Sequence, residues 1–452
     1  MTLRHRIQTW FSDRGIVIAA AALILPHLIL VWNVSLPPLQ DYPNHLARLH
    51  ILSNADSEIL RTFYEVSWDP IPNLALDAVV TFLAPFVGVA PGTKLFVGVS
   101  LAGLVFGVLA LQKALFGRLS AVSLFSSLLL FNMAFVKGFL GFTFATALAL
   151  LTLALWLRLR DAAWQVRVAL FSILTTILLF AHAFALGFYA VAVLSFEGVS
   201  ACRQGRCFSA PAIKTIAVCV APLVAPAAIF MTTSTGGALF QDITFRTLTE
   251  KLVIAPHLVA PYTREMMWLS MAALAVPLLI AFARLGARID ARVAGGAVAL
   301  LAVYLAMPFV VGTSANADWR MLPQIALLLS AGISVDRDRH VLNLALAALA
   351  AGVVAFQIWT VRNDWHRADA MYREVQAAVR AIPEGSRVLP LAAHPTYWRE
   401  IFPVPVLHLG CAAVWERNAF VPTLFASDKQ QPIRYRSAFL DEVRRAIEPL
   451  RA

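Results

Sequence analysis

The stretch Leu36-Pro37-Pro38-Leu39-Gln40-Asp41-Tyr42-Pro43-Asn44-His45-Leu46-Ala47-Arg48 sets an acid, an amide, a histidine and an arginine directly after the first long apolar run. Charge at the edge of an apolar phase is costly unless it is solvated or used. Asp41 is the residue of first interest, and the stretch reads as the floor of an active site. On a helix, His45 follows Asp41 at i+4 and Arg48 follows His45 at i+3, so all three share one face. That set offers a proton acceptor beside groups able to position a polar substrate. A plainer reading competes. An Asp before a Pro-started helix is a good N-cap, and an interfacial histidine is often just satisfied by its surroundings.

Other residues could join the same chemistry. Asp69, in Ser67-Trp68-Asp69-Pro70-Ile71-Pro72-Asn73, is a second carboxylate in the same loop. It can assist Asp41 or hold a divalent metal, Mg or Mn, or merely shape a proline turn. Lys137 and Asp318-Trp319-Arg320 place charge at the ends of apolar runs, with snorkelling or an Asp318–Arg320 pair as the simpler account. Tyr262, Arg264 and His257 close a long polar connection. His182 reads as a helix-end residue, and Trp319 and Trp398 as interface anchors.

The elements that must position these groups are apolar. The 452 residues are 60% hydrophobic and only 14% charged, and mean hydropathy is +0.73. A soluble chain of this length carries far more charge. Runs near twenty apolar residues recur, the length that crosses a bilayer. The expected class is an all-α polytopic membrane protein. The net charge of +11 then does not point to nucleic acid, because Lys and Arg cluster in short loops, where they set orientation. Part of the excess can serve anionic membrane lipids or phosphate substrates. Nothing matches a Walker loop, a zincin helix, a haem motif or a Gly-rich dinucleotide turn. Cys202, Cys207, Cys219 and Cys411 show neither zinc spacing nor a disulfide framework, so no structural disulfide is expected.

Taken in order, the run at 15–34 is long for a signal peptide and lacks a small-x-small site after it, so it is expected as a retained first helix. Its basic flank (Arg4, Arg6, Arg14) places the N-terminus in the cytoplasm. The outer loop 36–93 then carries the candidate site. Within it, 48–64 has the spacing of a surface amphipathic helix, and 74–89 is short and holds Asp77 and Pro85, as a half-inserted helix would. Spans are expected at 94–112, 119–136, 139–157, 166–182, 184–200, 211–231, 266–284, 293–311, 321–335 and 341–360, about eleven with the first. An outer loop at 232–264 has a second amphipathic element through Phe245, Leu248, Leu252 and Val253. The two expected domains are a transmembrane module, 1–361, and a small extracytoplasmic α/β domain, 362–452. The latter has a helix at 364–382, a turn at 383–386 and a strand at 387–391.

This pattern resembles the GT-C superfamily of polytopic glycosyltransferases, in particular the bacterial aminoarabinose and protein-mannosyl transferase branch. The shared features are the acid after helix one (Gln40-Asp41-Tyr42) and the proline turn (Asp69-Pro70-Ile71-Pro72-Asn73). A late Asp318-Trp319-Arg320-Met321-Leu322-Pro323 and an outer C-terminal Ile382-Pro383-Glu384-Gly385-Ser386-Arg387-Val388-Leu389 also match. Two features depart from it. The usual acidic pair is Asp41-Tyr42 here, and the connection at Phe135-Val136-Lys137-Gly138-Phe139 has no acid, which weighs against a two-carboxylate metal site.

The resemblance implies transfer of a sugar from a polyprenyl-phosphate carrier to a lipid, polysaccharide or protein acceptor, outside the inner membrane of a bacterium. Asp41 is then the general base. His45, Arg48, Asp69, Lys137, Asp318, Arg320, Tyr262 and Arg264 are candidates for holding substrate, with Lys137 and Arg320 suited to phosphate oxygens. With no soluble cytoplasmic domain, a nucleotide-sugar donor is not expected. A flippase for a lipid-linked sugar is the alternative; it would show inverted repeats and broken helices, and neither is visible in the sequence. A non-catalytic protein of envelope assembly is the third reading.

Overall fold

The computed structural model describes residues 13–237, 242–260, 262–312, 314–391, 407–426 and 430–447. Arg4, Arg6 and Trp398 lie outside them. The described chain is mostly helical, and eight of its helices are long and apolar enough to cross a membrane: α1 (Asp13–Asn33), α5 (Val89–Phe116), α6 (Leu140–Arg158), α7 (Trp164–Ala181), α8 (Ala183–Arg203), α9 (Ala210–Thr232), α11 (Arg264–Phe282) and α14 (His340–Arg380). Between α1 and α5 lie α2 (Tyr42–Ser53), α3 (Glu58–Phe63), β1 (Tyr64–Val66) and α4 (Ala75–Val87). The later short elements are β2 (Ile243–Thr244), α10 (Leu248–Ile254), β3 (Ala287–Ile289), α12 (Ala291–Ala306), β4 (Val310–Val311), α13 (Met321–Gly332) and β5 (Ile333–Val335). The C-terminal part adds α15 (Ala412–Arg417), β6 (Ile433–Tyr435) and α16 (Leu440–Ile447).

Ion pairs mark one end of the bundle and charge-assisted hydrogen bonds the other. At one end Asp13 binds Lys113 and Arg337, and Arg118 meets Asp336 at 2.6 Å. There β3 pairs antiparallel with β5. At the opposite end Lys94 Nζ donates to Val34 O at 2.6 Å, and the Ser35 amide donates to Asp369 at 2.7 Å. Asp41, Lys137 and Arg320 lie at this second end.

The run at 119–136 travels between the two ends, but not as an α-helix. It is a 3-10 helix over Ala121–Leu129 followed by a single turn, Met133–Val136. Serine explains the tightening. Ser123 Oγ donates to Ser120 O at 2.8 Å and Ser126 Oγ to Ser123 O at 2.6 Å, each a bond three residues back that favours the tighter winding. Asn132 then caps the turn through the Phe135 amide. Backbone of this kind survives at membrane depth only when wrapped in protein, and every residue from 119 to 138 is buried.

The expected amphipathic segment at 48–64 divides into α2 and α3, broken at Asn54, and Ser57 caps α3. The helix expected at 364–382 is the continuation of α14, which runs unbroken past 361 to Arg380. β6 pairs with β1, Tyr435 opposite Tyr64. Phe63, Tyr64, Phe420, Tyr435 and Phe439 form one aromatic core with Ile51 and Leu60. The C-terminal residues are therefore packed on the loop that carries Asp41. Of the expected strand, Arg387 makes an isolated parallel bridge to Phe420.

The expectation that the cysteines form no disulfide is overturned. Cys202 and Cys207 are paired as a disulfide. The chain turns back after α8 through Gly205 at φ +67°, and this brings the two Cα atoms to 4.3 Å, at the short edge of the cystine range. Sequence spacing alone did not reveal that turn.

Candidate active site

Asp41 occupies the N-cap position of α2, with Pro43 in the first turn, yet its side chain makes no capping bond. Instead Oδ1 lies 3.5 Å from Nε2 of His408. The Asp41 backbone is pinned by its amide, which donates to Lys137 O at 3.1 Å, while the Gln40 amide donates to Val136 O. The turn after the 3-10 segment thus fixes the position of the carboxylate. The side chain of Asp41 is nearly closed to solvent, 11% exposed.

Two cations share its surroundings. Lys137 Nζ donates to Gln40 Oε1 at 3.3 Å and lies 5.9 Å from the Trp319 ring. Burial lowers its affinity for a proton, and the Asp41 charge opposes that effect. Arg320 is held between aromatic faces, 4.5 Å from Phe139 and 4.6 Å from Phe184. Its Nη1 lies 3.2 Å from His182 Nε2, and Nη2 donates to Ala315 O. Its Nε has no hydrogen-bond partner among the described residues. Burial lowers this guanidinium to about 10, again opposed by Asp41. A buried cation whose carboxylate neighbour makes no direct pair with it is suited to an incoming anion. A narrow cleft lined by Met133, Phe139, His257, Leu258, Trp319 and Arg320 reaches that guanidinium.

His45 also belongs to this group. Its Nε2 lies 2.8 Å from Gly138 O, with Nδ1 buried and unpartnered among the described residues. Burial pushes the imidazole down to about 4, so the ring is neutral and donates through Nε2. The remaining candidates are engaged elsewhere. Arg48 Nε donates to Asp77 at 2.6 Å. Asp69 takes a hydrogen bond from Ser67 and faces Arg434 at 3.9 Å. Asp318, fully buried, binds Arg246 at 2.9 Å rather than Arg320, with Lys251 at 3.9 Å. Tyr262 accepts from Trp365 Nε1 at 3.0 Å, and Arg264 is exposed at the start of α11.

Three participants were not among the site candidates, His182 having been read as a helix-end residue. His408 comes from the far end of the chain, with no local pattern to mark it. His182 follows an apolar run, which fits a plain helix end as well as its contact with Arg320. Arg246 is stacked 3.9 Å from Phe309 and 4.8 Å from Trp319, and only the fold reveals this. In comparisons with known proteins, no family model matches the chain, and neither a curated protein nor a solved structure matches it.

The donor set beside Asp41 does not suit Mg or Mn. These hard ions want several oxygen ligands. Here there is one carboxylate, a histidine already bonded to a carbonyl, a second histidine (His408) and two cations. Among the described residues, no group of three His, Cys, Asp or Glu forms a metal cage.

Proposed function

We propose that this chain is a GT-C-type membrane glycosyltransferase. It moves a sugar from a polyprenyl-phosphate carrier to a hydroxyl of a lipid, polysaccharide or protein acceptor at the outer face of a bacterial inner membrane. The observation that carries this reading is the state of Asp41. It holds a cap position without capping, and its carboxylate is buried where Lys137 and Arg320 feel its charge. Asp41 takes the proton as the acceptor oxygen bonds to the anomeric carbon. The bond from that carbon to the phosphate oxygen breaks, and the departing phosphate is held by Lys137 and Arg320. Attack opposite the leaving group inverts the anomeric centre. No step passes through a metal.

Exposed apolar side chains support the membrane setting. On α10, Leu248, Leu252 and Val253 are 60–67% exposed while Lys251 is 2% exposed and donates to Tyr304 O and Met307 O. In water that arrangement is inverted; against lipid it is the stable one. Lys113, Arg118, Arg337 and Arg339 gather at the Asp13 end, and this basic excess supports a reading in which that end faces the cytoplasm and the C-terminal segment the periplasm.

The test is mass spectrometry of envelope lipids and polysaccharides from a strain lacking the protein, complemented with wild type or Asp41→Asn. Wild type restores the missing glycan; folded Asp41→Asn does not. Full restoration by Asp41→Asn rejects the catalytic assignment. The 3-10 segment favours a second reading, a flippase, because broken crossings are common in transporters. The two separate on where the carrier-linked sugar accumulates in the Asp41→Asn strain: the outer leaflet for a transferase, the inner leaflet for a flippase.

A further inference from the structure

We infer that His408 is the final acceptor of the proton that Asp41 removes, so that the working base is an Asp41–His408 pair; this rests on the transferase reading above. The pair is built from both ends of the chain. Its Nε2–Oδ1 distance is 3.5 Å, a loose contact of the kind that tightens once substrate is bound. The edge of Phe425 meets the His408 ring at 5.0 Å. Phe425 is itself anchored to the helix that Asp41 begins: its amide donates to Asn44 Oδ1 at 2.7 Å, and Asn44 Nδ2 donates to Thr423 O at 3.4 Å. One turn of α2 therefore holds both the carboxylate and the Phe425 segment that packs against the histidine ring.

Among the described residues, the other ionisable groups close to the pair are committed or unsuited. His45 spends its Nε2 on Gly138 O. Cys411, on the turn that His408 begins, has its thiol pushed up to about 12 by burial, with the Asp41 charge adding to the effect. Lys137 and Arg320 are cations, proton donors in character, and in the transferase reading they take the leaving phosphate. His408 is left as the partner whose ordinary chemistry suits a proton taken from a hydroxyl. Its Nε2, 3.5 Å from the carboxylate, is a ring nitrogen with a lone pair able to receive that proton.

The step balances as follows. The acceptor O–H proton passes to Asp41 as the new C–O bond forms. It moves from the Asp41 carboxyl to the lone pair of Nε2 of His408, 3.5 Å away, the ring taking it in the tautomer whose single hydrogen is on Nδ1. The electron pair of the broken C–O bond leaves on the phosphate. The product state is an imidazolium facing a carboxylate, so Asp41 keeps the negative charge that Lys137 and Arg320 sense. His408 then returns its proton to water.

The test uses membranes from the deletion strain carrying wild type, His408→Gln, His408→Gly or Asp41→Asn, with the glycan missing from that strain as the readout. Each variant is first shown to be monodisperse in detergent. His408→Gln is expected to slow transfer by about 10²-fold with the KM for acceptor unchanged. It also flattens the acidic side of the pH–rate profile, where imidazoles titrate. Added imidazole restores His408→Gly and leaves Asp41→Asn inactive. A His408→Gln protein with the wild-type rate at every pH overturns the relay alone. So does a slow His408→Gln with an unchanged profile and no rescue of His408→Gly, since that pattern means support of the fold. Envelope glycans unaffected by deletion overturn the transferase reading, and the relay with it.

Discussion

The guanidinium of Arg48 and the carboxylate of Asp77 form an ion pair sealed from solvent, with side chains 1% and 0% exposed and Nε 2.6 Å from Oδ1. It ties α2, the helix that begins at Asp41, to α4. Breaking a buried pair from one side strands the other charge, which costs about 3–5 kcal/mol. Arg48→Ala should therefore lower the thermal unfolding midpoint in detergent by many degrees. The Arg48→Met, Asp77→Leu double variant should recover most of the loss. A single variant as stable as wild type would show that Arg48 is free for substrate instead.

Gly138 lies against the backbone of Asp41, next to the Lys137 carbonyl to which the Asp41 amide donates. It sits at φ +86°, and a Cβ there would lie 2.8 Å from the Asp41 amide nitrogen and 3.0 Å from its Cβ. No side chain fits without moving the base, and the backbone angle is strained for any other residue. Gly138→Ala should cost about 1–3 kcal/mol of stability and remove glycan transfer. Retained transfer would mean that the position of Asp41 is not critical to the reaction.

Much of this arrangement was readable in the residues, and the unread parts have a common cause. The half-length helix at 74–89 appears as α4, and Asp77 inside it was the warning that it does not simply span. The 364–382 periodicity gave a helix but not its fusion with the preceding run, since no Gly or Pro separates them and single-element patterns carry no junction. The 119–136 run was legible as a crossing but not as a 3-10 helix. Its serines at 120, 123 and 126 were the available signal, and they compete with an ordinary α-helical reading. For the site, Asp41, Lys137 and Arg320 were chosen by type and position, and they converge. The roles of Arg48 and Asp318 depended on Asp77 and Arg246, which lie in separate elements. His408 depended on the C-terminal segment folding over α2. Long-range pairing is what one sequence without a fold leaves undetermined.

Arg320 tests whether the cation must be planar. Its guanidinium lies near the faces of Phe139 and Phe184 and spends Nη1 on His182. A lysine keeps the charge but cannot stack or fork. Arg320→Lys should slow transfer about tenfold to a hundredfold, roughly 1.4–2.7 kcal/mol of barrier, with more effect on kcat than on acceptor KM. His182→Gln, which can still accept from Nη1, should lie between wild type and Arg320→Lys. Equal rates for Arg320→Lys and wild type would remove Arg320 from the anion site.

Acid should weaken folding through the buried imidazoles. Burial lowers His45 to about 4, and burial beside Arg320 lowers His182 in the same direction. Between about pH 6.5 and pH 4 the unfolded chain binds a proton at position 45 and the folded protein does not. Stability therefore rises with pH across that window. It is complete above the unfolded value and lost as pH falls toward the folded one. For His45 alone the swing is about 3 kcal/mol. Glutamine can donate to Gly138 O but does not titrate, so His45→Gln should show a shallower fall in unfolding midpoint between pH 7.5 and 4.5. Carboxylates contribute to the slope of both proteins equally, which makes the difference between the two curves the informative quantity. Parallel curves would mean that the imidazole at 45 protonates in the folded state as readily as in the unfolded chain, and that water reaches the ring beside Asp41.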